Sequence, residues 1–190
     1  MTRSIFKRYV WPFLQWFLLM ILLAVLFDYL LHVLHLVEVG RYLGYVGTLI
    51  ILFSFAYSLR KRKIIEYGSP KKLLQTHEYA AWIGSILILV HAGIHFNAVL
   101  PWLAVLMLII AVASGLVGKF LLKKSSEALK SKLQLFMADG MSKEEAEKKL
   151  FFDALTVDLM KKWRVVHMPI TILLGVLAVI HIVSVMMFSK

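Results

Sequence analysis

The 190 residues are 61% hydrophobic, well above the roughly 45–50% of a soluble globular chain, which places the protein among membrane proteins. No cysteine is present, which excludes disulfides, iron–sulfur ligation and thiol catalysis within this chain. The net charge of +11 is not a nucleic-acid footprint, because 20 of the 22 Lys and Arg residues fall in three segments before the apolar runs, between them or at their ends.

Five runs approach the length of about 20 apolar residues that crosses a bilayer: about 11–35, 43–59, 77–98, 101–122 and 165–188. The first is too long, and lacks the small-residue site, for a cleavable signal peptide, so it is read as a span. Near its far end Asp28, His32 and His35 follow i, i+4, i+7 spacing, one predicted helix stripe. A short connection over 36–42 carries Arg41 and leads to span two, the shortest, which can borrow residues from both flanks. Gly68, Ser69 and Pro70 predict a turn before a helix that starts near Lys71. Span three, "HEYAAWIGSILILVHAGIHF", holds His77, His91 and His95, and "NAVLP" at 97–101 joins it to span four.

The segment 123–164 is the one large soluble piece, a cytoplasmic helical insert in a single transmembrane domain spanning 1–190. It reads as two short helices, the first stopped by Gly140 and the second opened by a Ser142/Glu145 capping box. Leu150, Phe151, Ala154, Leu155 and Leu159 give the second an apolar face for the bundle, the membrane surface or a partner. Some 40 residues without a glycine-rich phosphate loop provide no flavin or nucleotide site. The three basic segments lie before span one, between spans two and three, and between spans four and five, while the other side keeps only Arg41 and Lys190. By the positive-inside rule the N-terminus is cytoplasmic and the C-terminus outside.

Histidine inside an apolar span is costly and marks a functional site by default. His77 and His91 are 14 residues apart, and so are His167 and His181 in span five. Fourteen residues are two heptads, so each pair faces one direction, about 21 Å apart along its helix. Spans three and five run the same way, which sets His77 level with His167 and His91 level with His181. Two imidazoles facing each other across a helix bundle can supply both axial ligands of a haem iron. One ion cannot bridge levels about 21 Å apart, and zinc at either level would require further ligands. Hydrogen bonding between helices is the alternative role for a single such histidine. His95, one turn beyond His91, can replace it or bond a haem propionate; matched depth with His181 favours His91. Ala80, Ala81, Gly84, Gly93 and Gly175 are expected to leave room for a flat macrocycle.

"GRYLGYVGTLIILFSFAYSLRK", the run containing His77 and His91, and the late helix with His167 and His181 together resemble the ferric reductase-like transmembrane domain. That family includes ferric reductases, the membrane part of NADPH oxidases and bacterial haem-bearing sulfoxide-repair subunits. The resemblance covers roughly 40–98 and 163–188, and histidine spacing is its specific part. It implies two bis-histidine b haems held by His77, His91, His167 and His181. The C-terminal flavin and NADPH domain of the eukaryotic reductases has no counterpart here.

The sequence therefore predicts an all-α, five-span bundle of a multi-pass protein, placed in a prokaryotic cytoplasmic membrane, with two haems between spans three and five. Its function is electron transfer between a cytoplasmic donor and an outside acceptor or the quinone pool, as a subunit beside separate redox subunits in a larger oxidoreductase. The alternatives are a stand-alone metal or dioxygen reductase, a quinol-oxidising anchor, and a non-redox metal transporter or scaffold. Asp28, His32 and His35 form a candidate outer quinone, proton or metal site, or an interfacial cluster. For a quinol-oxidising anchor, Asp28 or Glu78 is the expected proton acceptor. Arg41 at the outer level, with Arg164, Lys72 and Arg60 at the inner one, are candidate propionate partners or topology-setting charges. Trp11, Trp16, Trp102 and Trp163 are expected to anchor at the interfaces, and Trp82 to pack between the haems or within the core.

Overall fold

The computed structural model describes residues 10–94, 98–118 and 123–188, with backbone alone at Pro12, Lys123 and Arg164. The described residues are helical and contain no strand. Among the described residues eight helices follow in order: α1 Trp11–Val33, α2 Val39–Ser54, α3 Ala56–Lys61, α4 Pro70–Ile94, α5 Val99–Leu116, α6 Lys123–Ala138, α7 Lys143–Lys149 and α8 Phe151–Phe188. Five stretches are long and apolar enough to cross a membrane, with α2 and α3 together forming the second. Hydrocarbon leaves no water to satisfy backbone groups, so helices that close their own ladders are the expected spanning elements.

Leu19, Leu22, Val25, Leu49, Leu52 and Phe53 are exposed, whereas Ser54, Ser85, Ser114 and Ser125 are buried. This inverts a soluble fold for a physical reason. Lipid chains are as apolar as leucine, so close approach of small residues and interhelical hydrogen bonds hold such helices together.

The chain divides into two compact units: Leu18–Val112 with Ile172–Lys190, and Met1–Phe17 with Ala113–Thr171. In the first, α2 packs its small face, Gly40, Gly44, Gly47 and Ser54, against α4. A Cβ at Gly47 would lie 2.9 Å from the Gly84 carbonyl, and one at Gly84 would lie 3.0 Å from the Gly47 carbonyl. These two backbones meet where no side chain fits.

In the second unit, Phe13, Val117 and Met160 form the hydrophobic cluster. Lys132 of α6 donates to Asp153 of α8 at 2.6 Å, with both side chains largely shielded. Gly140, at φ +83°, closes α6 as the sequence predicts. The Gly140 and Met141 amides return to the Met137 and Phe136 carbonyls, the Schellman pattern. The Ser142/Glu145 capping box is formed in full.

The insert departs from expectation beyond that point. Its second helix ends at Lys149, and the following residues belong to α8, one helix of 38 residues running through Pro169. No glycine or proline interrupts 151–168, and proline is tolerated in membrane helices where neighbouring groups re-satisfy the backbone. The apolar face also turns. Leu150, Val157 and Met160 are buried, while Phe151, Leu155 and Leu159 are exposed. The inward stripe at 150, 153, 157 and 160 includes Asp153 because Lys132 neutralises it, and an alternation of polar and apolar residues alone does not reveal that.

Gly47→Val should lower the melting temperature of the detergent-solubilised protein, with overpacking costing about 1–3 kcal/mol. The Gly84 backbone it meets cannot give way; an unchanged melting temperature would contradict this contact.

Candidate metal centre

His91 and His181 come together in one unit, from α4 and α8. Their ring centres are 6.5 Å apart and the planes tilt by 58°. The equal-depth pairing expected for these two residues is therefore present. Two imidazole nitrogens on opposite sides of one metal ion, at bonds of about 2.0–2.1 Å, put the ring centres roughly 6 Å apart. The observed spacing fits such an arrangement.

The ring of His91 is held from α2. Its Nδ1–H donates to the Gly40 carbonyl at 3.0 Å, and a Cβ at Gly44 would fall 2.7 Å from its Cγ. One glycine supplies the acceptor and the next supplies the space. A carbonyl only accepts, so Nδ1 carries the proton and Nε2 keeps the lone pair a metal requires.

His77, lower on α4, is held from the other end of α2. Its Nδ1–H is shared between the carbonyl of Ser54, at 3.2 Å, and the Ser54 Oγ, at 3.1 Å. The Ser54 hydroxyl proton is committed to the Ile51 carbonyl at 2.6 Å, so Oγ can only accept from the ring. Span two is interrupted at Phe55, directly after this carbonyl turns to the histidine, a recognised cause of a break in a helical ladder. The Tyr57 ring stacks on His77 at 5.7 Å.

His167 belongs to the other unit and is described in its own surroundings. Its Nδ1 lies 2.6 Å from the Ser114 Oγ of α5. A Cβ at the adjacent Gly115 would lie 3.4 Å from its Cε1.

The remaining candidates are less convergent. His95 lies outside the described residues, and so does the side chain of Arg164. Arg41 is exposed in the first turn of α2. Arg60 is engaged elsewhere, donating to the Gly68 and Ile65 carbonyls of the loop that precedes α4. Lys72 is exposed in the first turn of α4.

The outer stripe is broken. Asp28 and His32 lie on α1, but His35 sits past its end at φ 56°. There the His35 and Leu36 amides return to the His32 and Leu31 carbonyls, another Schellman closure. His32 Nδ1–H donates to the Asp28 backbone carbonyl at 2.9 Å and lies 3.7 Å from its Oδ1. Among the described residues, no group of three or more His, Asp or Glu side chains converges as a metal site.

Gly84 and Gly93 also differ from expectation. The space at Gly84 is filled by Ile51 and the Gly47 backbone, and that at Gly93 by the Asp28 carboxylate. Only Gly175, among the glycines expected to leave room, has nothing within 4 Å. The groups the sequence did not single out are those that hold the rings: Gly40, Gly44, Ser54, Tyr57 and Ser114. Their signal was the small-residue face of "GRYLGYVG" and a lone serine in each of two apolar helices.

Comparisons with family models, curated proteins and solved structures found no match.

In the metal-free protein, ¹⁵N NMR of labelled histidine should show His77 and His91 as the Nδ1–H tautomer. Gly44→Leu should abolish that signature for His91 alone. Retention of the His91 signal would show that Gly44 does not seat the ring.

Proposed function

We propose that the chain is a dihaem b-type membrane cytochrome, moving electrons between a cytoplasmic donor and an outside acceptor or the quinone pool. The observation that carries this reading is the His91–His181 pair, whose ring spacing would suit two ligands of one iron, with the His91 ring held from α2 through its Nδ1. The 14-residue repeat supplies the second level, His77 with His167, each with its Nδ1 engaged by a neighbouring helix. The resemblance to the ferric reductase-like transmembrane domain gives the same four ligands.

When bound, each haem supplies a one-electron ferric/ferrous couple, and the redox chemistry is the cofactor's. The protein's own residues bind, orient and insulate. His91 and His181 would ligate one iron and His77 and His167 the other. Gly40 and Ser54 fix the rings of α4 from outside the ligand shell, which raises ligand basicity and fixes orientation. The exposed leucines and valines would face lipid around rings that are themselves half-buried. The charge distribution supports a cytoplasmic N-terminus, so His77 and His167 form the inner level. In this reading the chain acts as a subunit beside separate redox subunits in a prokaryotic cytoplasmic membrane.

Asp28 favours the quinol-oxidising version. Its Oδ1 is buried, has no hydrogen-bond partner among the described residues, and abuts Gly93, two residues beyond His91. Asp28→Asn should slow haem reduction by quinol and leave reduction by dithionite intact; equal quinol rates would remove Asp28 from the pathway.

Purified protein should carry two b haems per chain in a reduced-minus-oxidised spectrum, and His91→Ala or His181→Ala should each leave one. A colourless protein would overturn the reading in favour of a metal transporter or scaffold.

A further inference from the structure

The connection between α3 and α4 is short, folded and basic. Span two ends at Lys61 and span three begins at Pro70, so both ends of this loop hold it at the membrane surface. Lys61, Arg62, Lys63, Lys71 and Lys72 are all exposed around it, and Glu66 is its one acid.

Internal bonds give the loop a shape. The Lys63 and Ile64 amides return to the Arg60 and Leu59 carbonyls, a Schellman closure of α3. Arg60 reaches forward to the Gly68 and Ile65 carbonyls at 3.1 and 3.4 Å. Ser69 Oγ accepts from the Lys72 amide at 3.2 Å as α4 opens. Two features go beyond what this folding requires. Lys63 closes α3 at φ 60°, a left-handed position where glycine is usual and a side chain is strained. Ile64 and Tyr67 are 65% and 90% exposed between the two groups of cations.

We propose that the loop over 61–72 is a binding site for one anionic phospholipid. Lys61, Lys63, Lys71 and Lys72 would meet the headgroup phosphate, and Ile64 and Tyr67 the glycerol and upper acyl region. A cluster of Lys and Arg beside a span draws anionic headgroups, with each cation worth roughly fivefold in partitioning. Tyrosine is a usual side chain at that depth, apolar in its ring and polar at its tip. Orienting a span takes charge alone and would leave the helix stop to glycine. A lysine kept at a strained backbone angle marks a use for its side chain. Nothing in this site depends on haem.

The test uses the full chain purified in mild detergent and offered phosphatidylglycerol and phosphatidylcholine in equal amounts. Native mass spectrometry counts bound lipid, and the melting temperature reads stability. Wild type should keep a phosphatidylglycerol that phosphatidylcholine does not displace, and should melt higher with it. Lys63→Gly should melt no lower than wild type without lipid, because strain is relieved, yet hold that lipid roughly fivefold more weakly. Lys63→Arg should hold it as wild type does. Replacing Lys61, Lys63, Lys71 and Lys72 together by Gln should release it. Ile64→Ser with Tyr67→Ser should weaken it with every charge in place.

Equal retention of the two lipids by wild type overturns the proposal, as does unchanged retention in Lys63→Gly. Either result returns these cations to setting topology or to an acidic protein. Retention that ignores Ile64→Ser with Tyr67→Ser also overturns it, leaving a bare anion site that inorganic phosphate would fill as well. Should the fourfold variant not insert, Lys63→Gly against Lys63→Arg decides.

Discussion

A histidine ring in hydrocarbon has an N–H that must find an oxygen within the protein, because no water is there to take it. The arrangement of α2 against α4 follows from that requirement. The oxygens that α2 has to offer are its side-chain hydroxyls and its backbone carbonyls. The carbonyls come within reach only if the two helices approach closely. Gly47 and Gly84 permit that approach, with each backbone lying where the other's Cβ would be. Gly40 and Ser54, toward either end of the same helix, then accept from His91 and His77. A single tight crossing thus serves two rings 14 residues apart.

The same requirement explains why the polar residues lie inside. Ser54, Ser85 and Ser114 are buried among helices whose outer surfaces are leucine, valine and phenylalanine. Ser85 returns its proton to the Ala81 carbonyl, one turn back. Ser54 does likewise to Ile51, but its carbonyl and Oγ also face His77. The difference between a packing serine and a ring-holding serine lies in the neighbouring helix, not in the serine.

That difference marks how far the sequence could be read. Long apolar runs and their lengths gave the five spans, because span length is a bilayer dimension and needs no partner. Gly140 and Ser142 were legible because caps are local. The spacing of His91 and His181 was legible because both fall on a helical repeat, and the structure brings those two rings together. Three features were not. His35 reads as the third member of a helix stripe, but α1 ends in a left-handed turn on that very residue, where glycine is usual. The apolar face read from Leu150, Phe151, Ala154, Leu155 and Leu159 leaves out Asp153, which faces inward because Lys132, 21 residues earlier, meets it there. Gly84 reads as room for a ligand, but its space is occupied by α2. Each depends on a tertiary neighbour that periodicity within one segment cannot supply.

The Gly40 carbonyl has a consequence for how this protein can vary. Mutational scans change side chains, and the acceptor for His91 belongs to the main chain. Substituting Gly40 would register as a clash with Ile94, and the oxygen itself would go undetected. Replacing the peptide link after Gly40 with another linkage, by chemical synthesis or amber suppression, would alter it directly. For the same reason the local code is degenerate, within a limit. A Cβ at position 40 already meets the tip of Ile94, so a larger residue there presents the same oxygen only where that side chain yields.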